Sequence, residues 1–164
     1  MVTSSTDGVQ RRESPVLAVI TIGLAVGILD GLAAVLHAYL RSGILPGQIF
    51  RFIASALLGE AVYSGGNGVI ALGVLLHFVV AGIWAAVFFI AYPRWRLLRR
   101  NKWLTGPAYG IFVWLMMNFA VLPLTALPGM AINWPSAAIG ILIHMFVVGL
   151  PIVAMTRRWY DAAP

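Results

Sequence analysis

The sequence contains no cysteine and little charge. None of its 164 residues is cysteine, and Asp, Glu, Lys and Arg together make up only 10%. The missing cysteine excludes disulfides, iron–sulfur clusters and thiolate metal sites. A soluble domain carries about 25% charged residues, so the low charge, together with 61% hydrophobic residues, excludes an ordinary water-soluble fold. The chain is therefore predicted to form one small membrane domain.

Four apolar stretches are long enough to cross a bilayer as helices, because a hydrocarbon core about 30 Å thick requires about 20 apolar residues of helix. They lie at about 16–40, 68–92, 104–126 and 134–156. These stretches predict an all-α bundle of four transmembrane helices, as a single domain over 15–157. Residues 1–14 are predicted to be a disordered cytoplasmic tail, and residues 158–164 a second cytoplasmic tail.

The segment 46–63 lies between the first two spans and is apolar but interrupted. Arg51, Ser55 and Glu60 leave it too short and too polar for a fifth span. It is predicted to be an interfacial or re-entrant helix over the outer mouth of the bundle.

The basic residues are concentrated at one side of the predicted membrane. Nine of the eleven Lys and Arg residues lie at 11–12, 94–102 and 157–158. By the positive-inside rule, both termini and the 93–103 loop are predicted to be cytoplasmic. This distribution favours contact with the lipid bilayer and its anionic head groups, and disfavours a nucleic-acid partner.

Each span carries one polar side chain near its middle. Counted at 1.5 Å per residue from the outer ends, these side chains all lie about 12–15 Å deep. They are Asp30, His77, Asn118 and His144. An ionisable group at this depth usually faces the bundle interior and often marks a functional site, so the four residues predict a polar midplane site. His37, Glu60 and Arg51 are candidates to extend it outward.

Glycines at spacings of four predict where helices approach one another closely. Gly23, Gly27 and Gly31 lie along one face of the first span, and Gly106 and Gly110 along the third. Small residues at this spacing allow close helix packing in lipid. Such packing serves contacts within the chain or between subunits, so a homo-oligomer and a larger membrane complex are both open as partners.

Three functions remain open from these residues. Asp30 with the histidines is suited to a proton or small-solute pathway, since such pairs exchange protons near physiological pH. His77 and His144 could instead be axial ligands of a b-type haem, or the polar groups could hold together a structural or accessory subunit. No other cofactor is predicted. An enzyme and a metal site are disfavoured, because the sequence lacks G-x-S-x-G and H-x-x-x-H spacings.

The chain also resembles a family at the level of its overall pattern, over about residues 18–155. The resemblance is carried by FIASALLGEAVYSGG, by His77 with FFIAYP, by YGIFVWLMMNFAVLPL and by VGLPI. This pattern is similar to YagU-like small bacterial inner-membrane proteins. The similar positions are Pro46, Ser64-Gly65-Gly66, His77, Asn118, Pro123 and Pro151. The resemblance implies a multi-span protein of the bacterial inner membrane, without a known activity, cofactor or substrate, so no catalytic residue is assigned from it.

Overall fold

The structure is a computed structural model that describes residues 14–126 and 133–162, and these residues contain helices and turns but no strand. Four helical stretches are long and apolar enough to span a membrane. They are Pro15–Ser42, Asn67–Ala91, Lys102–Leu124 and Trp134–Asp161. This finding confirms the predicted all-α fold with four transmembrane helices. The predicted disordered tail lies outside the described residues, except for Ser14.

The four spans contain five α-helices, and a sixth, α2, lies between the first two spans; two of the spans also contain a π-helical segment. The α-helices are α1 (Pro15–Ser42), α2 (Pro46–Leu58), α3 (Asn67–Ala91), α4 (Lys102–Met116), α5 (Trp134–Ile143) and α6 (Leu150–Asp161). The π-helical segments are Met117–Val121, which continues α4, and His144–Gly149, which joins α5 to α6. Short 3-10 turns cover Gly59–Ser64, Arg96–Arg99 and Leu122–Leu124.

Local sequence explains where the helices begin and end. Ser14 accepts a hydrogen bond from the backbone of Leu17 at 3.2 Å, and α1 ends at Gly43, whose φ of 64° suits glycine. Asn133 caps α5 through its side-chain oxygen, which also accepts a hydrogen bond from Arg41 at 3.0 Å. The end of α1 is thereby tied to the start of α5.

The spans pack in pairs at glycines. A Cβ on Gly23 of α1 would lie 2.8 Å from the Cα of Gly82 in α3, and a Cβ on Gly110 of α4 would lie 2.0 Å from the carbonyl oxygen of His144. Such distances leave no room for a side chain. The backbones therefore meet directly, α1 against α3 and α4 against the π segment of the last span.

Helix α2 packs against the first half of α3. A Cβ on Gly73 would lie 1.8 Å from the carbonyl oxygen of Phe50. Gly73 is six residues into α3, about 9 Å along its axis. Arg51 joins α2 to the following turn, since its guanidinium donates to the carbonyl oxygens of Val62 at 3.1 Å and Gly65 at 2.5 Å.

Aromatic rings hold α6 against the end of α3. The ring of Phe89 lies 4.8 Å from that of Trp159, and the rings of Tyr92 and Tyr160 are 5.1 Å apart. Burial raises the pKa of Tyr92, and the nearby Asp161 carboxylate raises it further. We call this end of the bundle, which carries residues 92–102 and 157–158, the basic end, and the other the far end. The last helix continues to Asp161, so it extends beyond the predicted span into residues assigned to a tail.

The close contact between α2 and α3 predicts opposite outcomes at two glycines of the same helix. Gly73→Ala should destabilise the protein by about 1–3 kcal/mol, because the added methyl group overlaps the backbone of α2. Gly82→Ala is the matched control, since a Cβ there would meet nothing within 4 Å. Thermal unfolding in mild detergent measures both variants, and equal midpoints would contradict the contact.

Candidate functional site

A cavity of about 150 Å³ lies among the four spans, and three of the predicted midplane residues line it. These are Asp30 from α1, His77 from α3 and His144 from the last span. The rest of its wall is mostly apolar and consists of Val26, Ile53, Val80, Ala81, Trp84, Val113, Met117 and Val148. Each span and α2 thus contribute to one cavity.

His77 is oriented by the backbone of α1. Its Nε2 lies 2.8 Å from the carbonyl oxygen of Gly27, and because a carbonyl only accepts hydrogen bonds, Nε2 carries the proton. The neutral ring therefore keeps a lone pair on Nδ1. Gly31 makes room for the ring, since a Cβ there would lie 3.3 Å from Nε2. The rings of Phe50 and Phe78 contact the imidazole edge-on.

His144 is oriented by its own helix. Its Nδ1 donates to the carbonyl oxygen of Gly140 at 2.8 Å, and its backbone N–H donates toward Gly140 and Ile141. The proton on Nδ1 leaves a lone pair on Nε2 of the neutral ring. His144 is also the first residue of a π-helical segment, a feature that is frequent at functional sites.

Asp30 has no protein partner in the described part of the chain. It is half-buried, and its side chain forms no hydrogen bond there. The ion pair found among these residues joins Arg157 to Asp161 at 3.1 Å, so neither histidine is paired with Asp30. A carboxyl group inside a membrane bundle must be protonated, paired or hydrated. Without a partner, Asp30 requires water or a proton.

The donor set does not form a metal centre. Within residues 14–126 and 133–162, no three His, Asp, Glu or Cys side chains lie close enough to hold one metal ion. Asp30, His77 and His144 therefore surround the cavity without converging on a point. A cavity that presents three polar side chains can hold water bonded to them, so water is the natural link between these side chains.

Three valines line the cavity on its side toward the basic end. Val26, Val113 and Val148 are 1%, 2% and 5% exposed, and all belong to the buried core. Val26 lies four residues before Asp30, Val113 four before Met117 and Val148 four after His144. In each case the valine is about one helical turn closer to the basic end. Together they form an apolar layer, which we call the valine layer.

Asn118 does not line the cavity. Its side-chain nitrogen donates to the carbonyl oxygen of Trp114 at 2.9 Å, one turn back in the same span. A regular α-helix would place Asn118 on one line with Gly110 and Trp114, since the three are spaced by four residues. Asn118 lies instead within the π-helical segment that begins at Met117, and Met117, four residues after Val113, lines the cavity.

The predicted outward extension is also separate from the cavity. His37 is half-buried, and its Nε2 is buried without a hydrogen-bond partner among the described residues. Glu60 is exposed on its 3-10 turn, and Arg51 binds backbone carbonyls. None of the three lines the cavity. Their part in a functional site stays a prediction.

Ile53, Trp84 and Met117 are cavity residues that the sequence did not single out. The indole nitrogen of Trp84 donates to the sulfur of Met117 at 3.4 Å, and Tyr109 donates to the carbonyl oxygen of Trp84 at 2.6 Å. Helical spacing offered a signal for Trp84, which lies seven residues after His77 and hence on the same face.

No protein-family model matches this chain, and no curated protein or solved structure matches it either. The site therefore has to be interpreted from its own geometry.

Water in the cavity predicts a specific pattern of radical damage. Hydroxyl radicals generated from water should oxidise Met117, which lines the cavity, severalfold more than Met116, its chain neighbour outside the lining. Radiolytic footprinting of the protein in nanodiscs, read by mass spectrometry, measures both residues. Oxidation of Met116 equal to or above that of Met117 would show that the cavity is dry.

Proposed function

We propose that this chain is an integral protein of the bacterial inner membrane whose cavity forms part of a pathway for protons. The observation that supports the proposal is that Asp30, His77 and His144 line one cavity, with no partner for the carboxyl group among the residues that the structure describes. An unpaired acid at this depth of a membrane protein is costly, and such groups commonly belong to proton relays.

The size of the cavity favours protons over a larger solute. At about 150 Å³ it is smaller than the roughly 300–1,000 Å³ of typical small-molecule and cofactor sites. It has room for several water molecules. Each histidine has one ring nitrogen committed to a backbone carbonyl and one free to accept a proton. Protons would pass between these nitrogens and the Asp30 carboxyl through bound water.

The pathway would be open in one direction and gated in the other. Toward the far end, His37 lies seven residues, about 10 Å, beyond Asp30 along α1, and α2 would act as a re-entrant cover that reaches the cavity through Ile53. Toward the basic end, the valine layer would act as a gate, since apolar constrictions block conduction by excluding water. The basic end is cytoplasmic if the positive-inside rule holds.

The other functions have less support. A haem between His77 and His144 would need far more space than the cavity provides. An accessory subunit would show the same glycine-mediated helix packing but would not conduct protons. A measurement of proton flux therefore distinguishes the two functions.

The proposal predicts that one carboxyl group controls conduction. Asp30→Asn should reduce proton flux into proteoliposomes by at least about tenfold, because the amide keeps the shape and removes the exchangeable proton. Asp161→Asn makes the same chemical change at an exposed position outside the cavity and should leave the flux unchanged. A pH-sensitive dye inside the vesicles, with an imposed potential, measures the rate.

Three results would contradict the pathway. A wild-type protein without flux would favour the accessory subunit, and unchanged flux in Asp30→Asn would remove the carboxyl group from the mechanism. A Soret band in protein supplied with haem, lost in His77→Leu, would favour the redox function.

The valine layer predicts a leak when it is made polar. Val113→Thr keeps the side-chain volume and adds a hydroxyl group that attracts water. Proton flux should rise severalfold over wild type in the same assay, whereas Val79→Thr, at an exposed position on α3 outside the cavity, should change nothing. A flux at or below the wild-type value would show that the gate lies elsewhere.

A further inference from the structure

A second and much larger cavity, of about 890 Å³, opens on the surface at the basic end. It is a groove between the end of α3, the basic loop and the start of α4. Its lining is mostly apolar, with a polar group of Arg100, Asn101 and Thr105. This groove shares no residue with the midplane cavity.

The groove changes character with depth. Arg100 and Asn101 lie at the level of the loop, whereas Val87, Ala108 and Phe112 line its deeper part. From Asn101 to Phe112 the chain runs eleven residues along α4, about 16 Å. That is about half of a 30 Å hydrocarbon core, so the groove descends through one leaflet from a cationic rim into an apolar trough.

The rim has unbalanced positive charge. At the basic end, the acid among the described residues is Asp161, and it pairs with Arg157. Arg94 donates to the carbonyl oxygen of Ile90, and the ammonium of Lys102 lies 5.3 Å from the ring centre of Trp103. Arg100 lines the groove without an acidic partner among the described residues. An anionic group is its complement.

The groove is exposed along its side, and Val87 and Phe112 in its deeper part are 42% and 44% exposed. Leu97 and Leu104 are 70% and 71% exposed, and Trp95 is 65% exposed. The hydroxyl group of Tyr109, which also lines the groove, is already bonded to Trp84. The deep wall therefore presents apolar surface to whatever enters from the membrane.

We propose that this groove binds one anionic phospholipid of the leaflet at the basic end. The phosphate would contact Arg100 with Asn101 and Thr105, and an acyl chain would lie along Ala108 and Phe112. Basic pockets beside transmembrane helices commonly bind anionic head groups. A second copy of this chain is a poorer occupant, because its own basic end would bring like charge to the rim.

Quenching of tryptophan fluorescence tests the proposal, because Trp95 lies in the groove. The full chain is reconstituted in phosphatidylcholine vesicles that contain an equal mole fraction of brominated phosphatidylglycerol or brominated phosphatidylcholine. The anionic quencher should reduce fluorescence about twofold more than the zwitterionic one. Trp95→Phe should remove most of this difference.

Matched variants separate a site from a diffuse surface charge. Arg100→Gln should abolish the preference for the anionic quencher, whereas Arg158→Gln, an exposed cation at the same end outside the groove, should keep it. Ala108→Phe, at an exposed lining position, should abolish it by filling the trough. Leu115→Phe, on the exposed surface of α4 outside the groove, should keep it.

Several outcomes would overturn the proposal. Equal quenching by the two lipids would mean general contact with the bilayer. Equal losses in Arg100→Gln and Arg158→Gln would mean a delocalised charge effect. Cross-linking between two chains through the groove, abolished by Ala108→Phe, would make a second copy the occupant.

Discussion

Direct contact between helix backbones is the constraint on which the rest of this structure depends. Helices in lipid gain little from apolar burial against one another, so they associate through close packing at small residues. Gly73 meets the backbone of Phe50, Gly110 meets that of His144, and a Cβ on Gly149 would lie 2.1 Å from the carbonyl oxygen of Gly106. These contacts determine the distance and rotation of each helix, and hence which side chains face the interior.

The cavity follows from an irregularity in that packing. Both π-helical segments begin at a cavity-lining residue, Met117 in the third span and His144 in the fourth. Each segment ends two residues before a proline, Pro123 or Pro151. Proline lacks the N–H of a regular turn and disturbs the helix before it. The wider π-helical turns lie at the level where Asp30 and His77 line the cavity, so the polar side chains and the space between the helices occur together there.

Much of this arrangement could be predicted from the sequence, although not all of it. The four spans follow from the length and polarity of the apolar stretches, and the structure places Asp30, His77 and His144 around one cavity. Asn118 was placed by assuming an unbroken α-helical period, which the π-helical segment changes. Met117 and Ile53 were missed because an apolar side chain beside a cavity carries the same pattern as one in a packed core.

The sequence alone determined the membrane class, the number of spans and the separation of basic from apolar surface. Those properties depend on composition and on the length of the apolar stretches. These decide whether a segment lies in lipid or in water, independently of the helix that it packs against. The tertiary structure decided which polar residues share a cavity, how each histidine is oriented and where the valine layer and the groove at the basic end lie. These features depend on contacts between residues far apart in the chain, such as Gly27 with His77 and Gly110 with His144.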